Sequence, residues 1–173
     1  RRARVRVRGF SGRGGHQRLA VPIGRYPLSQ QSQDGRGNIL DTRTGDLAGT
    51  DAIRWSCDKD TPYVPSPLLV GDLLYVVKVN TGILSCFDTQ SGKPHFPAER
   101  LEGVNEIYAS PVSAKGRVYV LGRDGKCLVL KSGPKLEVLA TNKLDDRTDA
   151  SIAIAGKELF IRGQQNLYCL AAP

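Results

Sequence analysis

Three stretches of this sequence begin on a serine and reach an aromatic residue nine positions later: Ser66 to Tyr75, Ser110 to Tyr119 and Ser151 to Phe160. The starts lie 44 and then 41 residues apart. Each copy carries the same parts. A short apolar run follows the serine, and then a tight turn containing glycine: Gly71-Asp72, Lys115-Gly116 or Gly156-Lys157. Glycine there supplies backbone angles that a bulky residue resists. A second apolar run passes through the aromatic residue. A second turn follows at Asn80-Thr81-Gly82, Arg123-Asp124-Gly125 or Gly163 to Asn166, and a third run carries Cys86, Cys127 or Cys169. A period of about 40–45 residues built from short β segments is the signature of propeller blades. The middle runs are apolar at nearly every position, which suits strands buried on both faces, as when one sheet stacks on the next. No helical stretch stands out. The expected fold is all-β: a partial β-propeller of three to four blades, each a four-stranded antiparallel sheet.

The linker between third and fourth strands has its own pattern. In Cys86-Phe87-Asp88-Thr89-Gln90-Ser91-Gly92-Lys93-Pro94-His95-Phe96, Asp88 ends a strand and can accept hydrogen bonds from turn N–H groups. Ser91 can do the same, and Gly92 permits a left-handed residue. Phe96 then buries its ring between blades. A weaker copy runs from Cys127 to Gly133, with Val129 in place of the aspartate, and an earlier one from Asp41 to Asp46, followed by Trp55 after an inserted loop.

This small-x-Asp-x-x-Thr/Ser-Gly-x-x-x-aromatic pattern resembles the Trp-docking motif of the bacterial pyrroloquinoline-quinone-type propeller repeat. Residues 45–55, 60–67, 82–85 and 142–146 are also similar to a bacterial group of such proteins. The resemblance covers residues 38–173. It implies a quinoprotein-dehydrogenase-like propeller in an extracytoplasmic setting, periplasmic or secreted, and Asp88, Ser91, Gly92, Phe96 and Trp55 as docking residues. In the quinone-dependent alcohol dehydrogenases, the same resemblance implies a catalytic carboxylate, calcium ligands, a Trp floor and a disulfide between adjacent cysteines. This chain has no adjacent cysteines, and its single Trp, Trp55, reads as the docking aromatic. Pyrroloquinoline quinone and calcium are therefore suggested by the family name alone, and no catalytic, cofactor or metal residue carries over. The leading expectation is a noncatalytic scaffold. The alternative is a fragment of a quinone-dependent oxidoreductase whose catalytic blades lie elsewhere.

The net charge of +8 is confined to one segment. Residues 1–40 hold nine Arg, no Lys and one acid, Asp34, whereas residues 41–173 hold sixteen bases and sixteen acids. Residues 1–37 are thus set apart from the blades of residues 38–173. They read as a phosphate-neutralising arm that would bind nucleic acid, as a disordered linker, or as non-native sequence from a shifted reading frame. Ala3 to Arg8 also alternates Val with Arg, as an edge strand would, and such a strand would complete the last blade. The chain has no methionine, so it reads as a processed piece or a fragment, the C-terminal blades of a larger propeller. No apolar run is long enough to span a membrane.

The remaining chemistry-bearing residues divide into buried and exposed candidates. The three repeat cysteines occupy one slot in successive blades, too far apart for a disulfide, and read as small buried thiols. The cluster Asp145-Asp146-Arg147-Thr148-Asp149 lacks the glycine and closing glutamate of a calcium loop. His16 and His95 form no constellation with a nucleophile. In propellers the loops leading into the innermost strands crowd one mouth of the channel. Here they hold Asp60, Tyr63, Glu106, Tyr108, Asp146 and Asp149. These are the candidate contacts for a protein or small ligand. Tyr63 and Tyr108 serve either recognition or loop anchoring. The other expected partners are the remaining blades of a larger propeller, or another chain.

Overall fold

A computed structural model describes residues 10–11, 17–22, 53–57, 62–78 and 82–171. Fourteen strands form four antiparallel sheets, and no helix occurs among the described residues. Sheet one contains β1 (Phe10–Ser11), β2 (Gln17–Pro22) and β3 (Ile53–Cys57). Sheet two contains β4 (Leu68–Val70), β5 (Leu73–Lys78), β6 (Ile83–Asp88) and β7 (Pro94–Arg100), in that order across the sheet. Sheet three repeats this with β8 (Val112–Ala114), β9 (Arg117–Leu121), β10 (Lys126–Lys131) and β11 (Val138–Lys143). Sheet four has β12 (Ala153–Ala155), β13 (Glu158–Arg162) and β14 (Leu167–Ala171), and no fourth strand among the described residues. The two middle sheets are four-stranded as the repeat predicts.

The apolar middle strands are sandwiched. On β5, Leu74 and Val76 pack with Trp55, Leu69 and Phe87 on one side. Tyr75 and Val77 pack on the other, with Leu84, Cys86 and Phe96 of their own sheet and Val118, Val120, Leu128 and Leu130 of sheet three. On the far side of sheet three, Leu121 and Cys127 meet Ile152 and Ile161 of sheet four. Side chains alternate across a strand, so a strand apolar at every position requires a neighbour on each face. Leu101, Val104 and Ile107, in the link from β7 to β8, close the core between sheets two and three.

Two of the described strands lie within the Arg-rich first segment. Gln17–Pro22 pairs with the strand of Trp55, Val21 opposite Trp55, and Phe10–Ser11 pairs with β2. Described residues on both sides of the 37/38 division thus share sheet one. Ala3 to Arg8 and the copy at Asp41 to Asp46 lie outside the described residues.

Register corrects the cysteine reading. Tyr75 stands opposite Cys86, Phe160 opposite Cys169, but Tyr119 opposite Val129. Cys127 is therefore two positions out of the shared slot: it follows its turn glycine, Gly125, by two residues, where Cys86 follows Gly82 by four. By the same register Lys131, not Val129, takes the place of Asp88, because each lies opposite the residue that opens its hairpin partner strand, Arg117 and Leu73. Cys86 and Cys127 are buried as expected, whereas Cys169 is exposed, on β14, which pairs with β13 on one side only among the described residues.

A docked ring joins sheets one and two. The Trp55 indole lies against Gly92, and its Nε1–H donates to the Thr89 carbonyl at 3.0 Å. Asp88 shapes the receiving turn: its Oδ1 accepts from the Ser91 N–H at 2.7 Å and the Ser91 hydroxyl at 2.6 Å. Those bonds, the hydroxyl's foremost, hold the Asp88 carboxyl below its ordinary range. Gly92 has φ +70°, and a Cβ there would lie 2.6 Å from the indole ring. Phe96, opposite Cys86, is buried in the core between sheets two and three. Its counterpart in sheet three, opposite Val129, is Ala140. The Tyr75 hydroxyl instead fastens sheet three, accepting from the Gly133 N–H at 2.8 Å and donating to the Gly133 carbonyl at 3.0 Å.

Two outcomes follow from this packing. Gly156 also has positive φ but open space around its Cβ position, so Gly156→Ala costs only the left-handed backbone, about 1–2 kcal/mol. Gly92→Ala costs that plus displacement of the indole, about another 1–3 kcal/mol, read as a lower urea midpoint with a red-shifted Trp emission. Burial pushes the Cys86 thiol up to about 12 and the Cys127 thiol up to about 11. In dilute native protein at pH 8, a maleimide therefore labels Cys169 at the rate of a free thiol, while Cys86 and Cys127 react only on unfolding. Equal rates at Cys86 and Cys169 would contradict the burial.

Candidate functional site

The loops leading into β4, β8 and β12 lie at one end of the stacked sheets, and the serines that open each repeat connect them. The Ser66 N–H donates to Ser110 Oγ at 2.9 Å, and the Ser110 N–H donates to Ser151 Oγ at 2.9 Å. Each sheet thus offers an N–H to the hydroxyl of the next. The nine-residue spacing from serine to aromatic keeps this ladder in register with the packed rings.

Above the ladder, three of the predicted mouth residues converge on Arg123, in the turn between β9 and β10. Its Nε donates to Asp149 Oδ1 at 2.6 Å and one terminal nitrogen to Glu106 Oε2 at 3.0 Å. The other terminal nitrogen reaches Asp149 Oδ2 at 3.4 Å. The guanidinium carbon stands 3.9 Å from the centroid of the Tyr108 ring. The hydrogen bond to Asp149 above all raises the Arg123 pKa further. Arg147 lies 3.8 Å from the same Asp149 carboxylate. Backbone bonds support the cluster: the Arg123 N–H donates to the Glu106 carbonyl, and the Thr148 N–H and hydroxyl donate to the carbonyls of Arg123 and Gly122. One planar fork therefore spans the loops of sheets three and four.

The other candidates fall elsewhere. Asp146 is buried and turned into the fold, where Oδ2 accepts from the Gln165 and Asn166 N–H groups at 3.1 Å each and from the Tyr168 hydroxyl at 3.3 Å. It organises the β13–β14 turn. Tyr63 is 71% exposed, and Val64 beside it is also exposed. The residues at the same distance before their serines in the next two copies, Ile107 and Thr148, are fully buried. Asp60 lies outside the described residues.

Sequence reasoning missed Arg123. Its signal was present as the one base in the second-turn position, flanked in space by the acids of two loops. Sequence spacing alone does not place that turn beside the loop before Ser151.

Glu106 and Asp149 are compensated by Arg123, and Asp146 is saturated by backbone N–H groups and a phenol. Among the described residues no group of three His, Cys, Asp or Glu side chains is arranged to hold a metal ion. No helix of the described residues is long and apolar enough to cross a membrane.

Asp146→Ala leaves two N–H groups and a half-buried phenol without their acceptor, at about 1–3 kcal/mol. The loss is expected as a lower denaturant midpoint, with faster hydrogen exchange confined to Gln165 and Asn166. An unchanged midpoint would contradict its structural role.

No family model matches the sequence, and no curated protein matches it. Solved structures do. BamB from Moraxella catarrhalis superposes with a TM-score of 0.57 at 21% identity, over 72% of this chain and 38% of that one. The chain thus spans well under half of BamB. The computationally designed Ika4 protein matches with a TM-score of 0.55 at 12% identity, over 72% of this chain and 75% of that one. The designed Ika8 protein gives 0.55 at 13% identity, over 71% and 37%. With two sheets buried on both faces, an indole docked from one sheet onto the next and these likenesses, the chain has the fold of part of a β-propeller, of which the described residues make four sheets.

Proposed function

We propose that this chain is a noncatalytic propeller scaffold that presents its channel-mouth loops to a protein or small ligand outside the cytoplasm. The observation that carries the reading is the contrast at the mouth. Glu106, Tyr108 and Asp149 are locked around Arg123, while Tyr63 and Val64 project from the neighbouring loop into solvent. An amphipathic ring held out from a rigid, charge-compensated platform is the arrangement recognition surfaces use. The carboxylates beside it accept hydrogen bonds and ion pairs already, which leaves them poor general bases or metal ligands. Further sheets, from a longer chain or from another chain, complete the ring. The extracytoplasmic setting follows from the sequence resemblance.

A peptide library displayed on phage and selected against the immobilised chain tests this. Selected peptides should lose at least about tenfold in affinity against Tyr63→Ala, with the thermal midpoint unchanged because the ring is already in water. Equal binding to Tyr63→Ala would sink the mouth reading. Saturable quenching of Trp55 by micromolar pyrroloquinoline quinone with calcium would favour an oxidoreductase fragment instead.

A further inference from the structure

Sheet three packs against a neighbour on each face, so what it leaves open is its rim. Its strand order is β11-β10-β9-β8, which puts β11 at the edge. Every residue from Val138 to Lys143 is exposed, Val138 at 51% and Leu139 at 46%. The Leu144 N–H donates to the Gly125 carbonyl, which fixes the phase of the ladder. Hydrogen-bonded pairs alternate along antiparallel strands, so Ala140 and Asn142 turn their backbone groups toward β10, opposite Val129 and Cys127. Thr141 and Lys143 turn theirs away, and these have no partner among the described residues. The corresponding edge of sheet two is guarded. β7 carries Pro94 and Pro97, which have no N–H to donate, and ends on the charged pair Glu99-Arg100. Such residues keep a further strand off an edge. From Val138 to Asn142, β11 has neither proline nor charge. The bulge in β11 falls at Val138 and Leu139, opposite Leu130, and leaves Ala140 to Lys143 in regular register.

We infer that β11 accepts an extended, acidic segment of a partner protein as a fifth strand of sheet three. An edge specifies its occupant more narrowly than a face does, because only an extended backbone presents a donor and an acceptor at every second residue. Charge narrows it further. Residues 124–143 hold four lysines against two acids, Asp124 and Glu137. Glu137 is paired with Lys131 and Asp124 with Lys143, which leaves Lys135, exposed, without an ion-pair partner among the described residues. A strand-forming segment with acidic residues complements this rim. Sheets added by a longer chain stack on the faces of the end sheets, not on the rim of a middle one. The inference goes beyond the mouth reading and stands or falls without it.

Amide hydrogen exchange of the full ¹⁵N-labelled chain, with and without a synthetic Glu-Val-Thr-Val-Thr-Val-Glu peptide, tests the inference. In the free chain the Thr141 and Lys143 amides exchange as open backbone, while those of Ala140 and Asn142 are protected. Saturating peptide slows Thr141 and Lys143 at least about tenfold. The same peptide N-methylated at every residue keeps its side chains but loses its donors, and binds at least about tenfold more weakly. Thr141→Pro removes an N–H that β10 does not use, so the fold survives and peptide affinity falls by a similar factor, whereas Thr141→Ala binds as the unmodified chain does. Thr141 and Lys143 amides already protected without peptide would mean that the edge is covered from within, and would overturn the inference. So would equal binding of the N-methylated peptide, or exchange unchanged at millimolar peptide.

Discussion

A β-strand apolar at every position has to be covered twice. That requirement governs this chain, because β5 and β9 each bury alternate side chains against the sheet before and the sheet after. Among the described residues nothing else supplies a core. Helices are missing among the described residues, and each sheet is too narrow to close on itself. Hydrophobic burial stabilises the stack without fixing its geometry, since apolar contact is non-directional. Direction comes from a few polar links: the Trp55 indole on the Thr89 carbonyl, the Tyr75 hydroxyl on Gly133 and the serine ladder at the inner end. These set the orientation at which the apolar faces meet.

The repeat was legible in sequence because it is a local pattern. Serine, glycine turn, aromatic and second turn recur at fixed offsets, and each offset is imposed by strand length and turn geometry. The forward docking of Trp55 is also local in origin, since the Asp88 to Gly92 turn that receives it is written in five consecutive residues. What escaped was register and convergence. Cys127 follows its turn glycine by two residues rather than the four that separate Gly82 and Cys86, an offset that matching cysteines by eye conceals. Arg123 escaped because its partners come from the loops on either side of its own hairpin, 17 and 26 residues away. Asp146 looked like a mouth residue by position, but three donors in the β13–β14 turn draw it inward.

The same contrasts separate scaffold from surface. Residues tied by backbone bonds or by Arg123 hold the loops in place, and they are the acids that a cofactor site would need free. Tyr63 is the exception: Ile107 and Thr148 occupy the matching places beneath their loops, whereas this ring stands in solvent. At the far end of the stack the exposure has another origin. Leu167 and Cys169 face outward from sheet four, on the side away from sheet three.

The most direct measurement of the stacked arrangement is hydrogen exchange at one indole. The chain has a single tryptophan, so ¹⁵N labelling gives one indole N–H resonance, without assignment. Docked on Gly92 and donating to the Thr89 carbonyl, that proton exchanges at least about tenfold more slowly than in a free indole, and the protection vanishes with global unfolding. Exchange at the free-indole rate in the folded protein would contradict the docking of one sheet on the next.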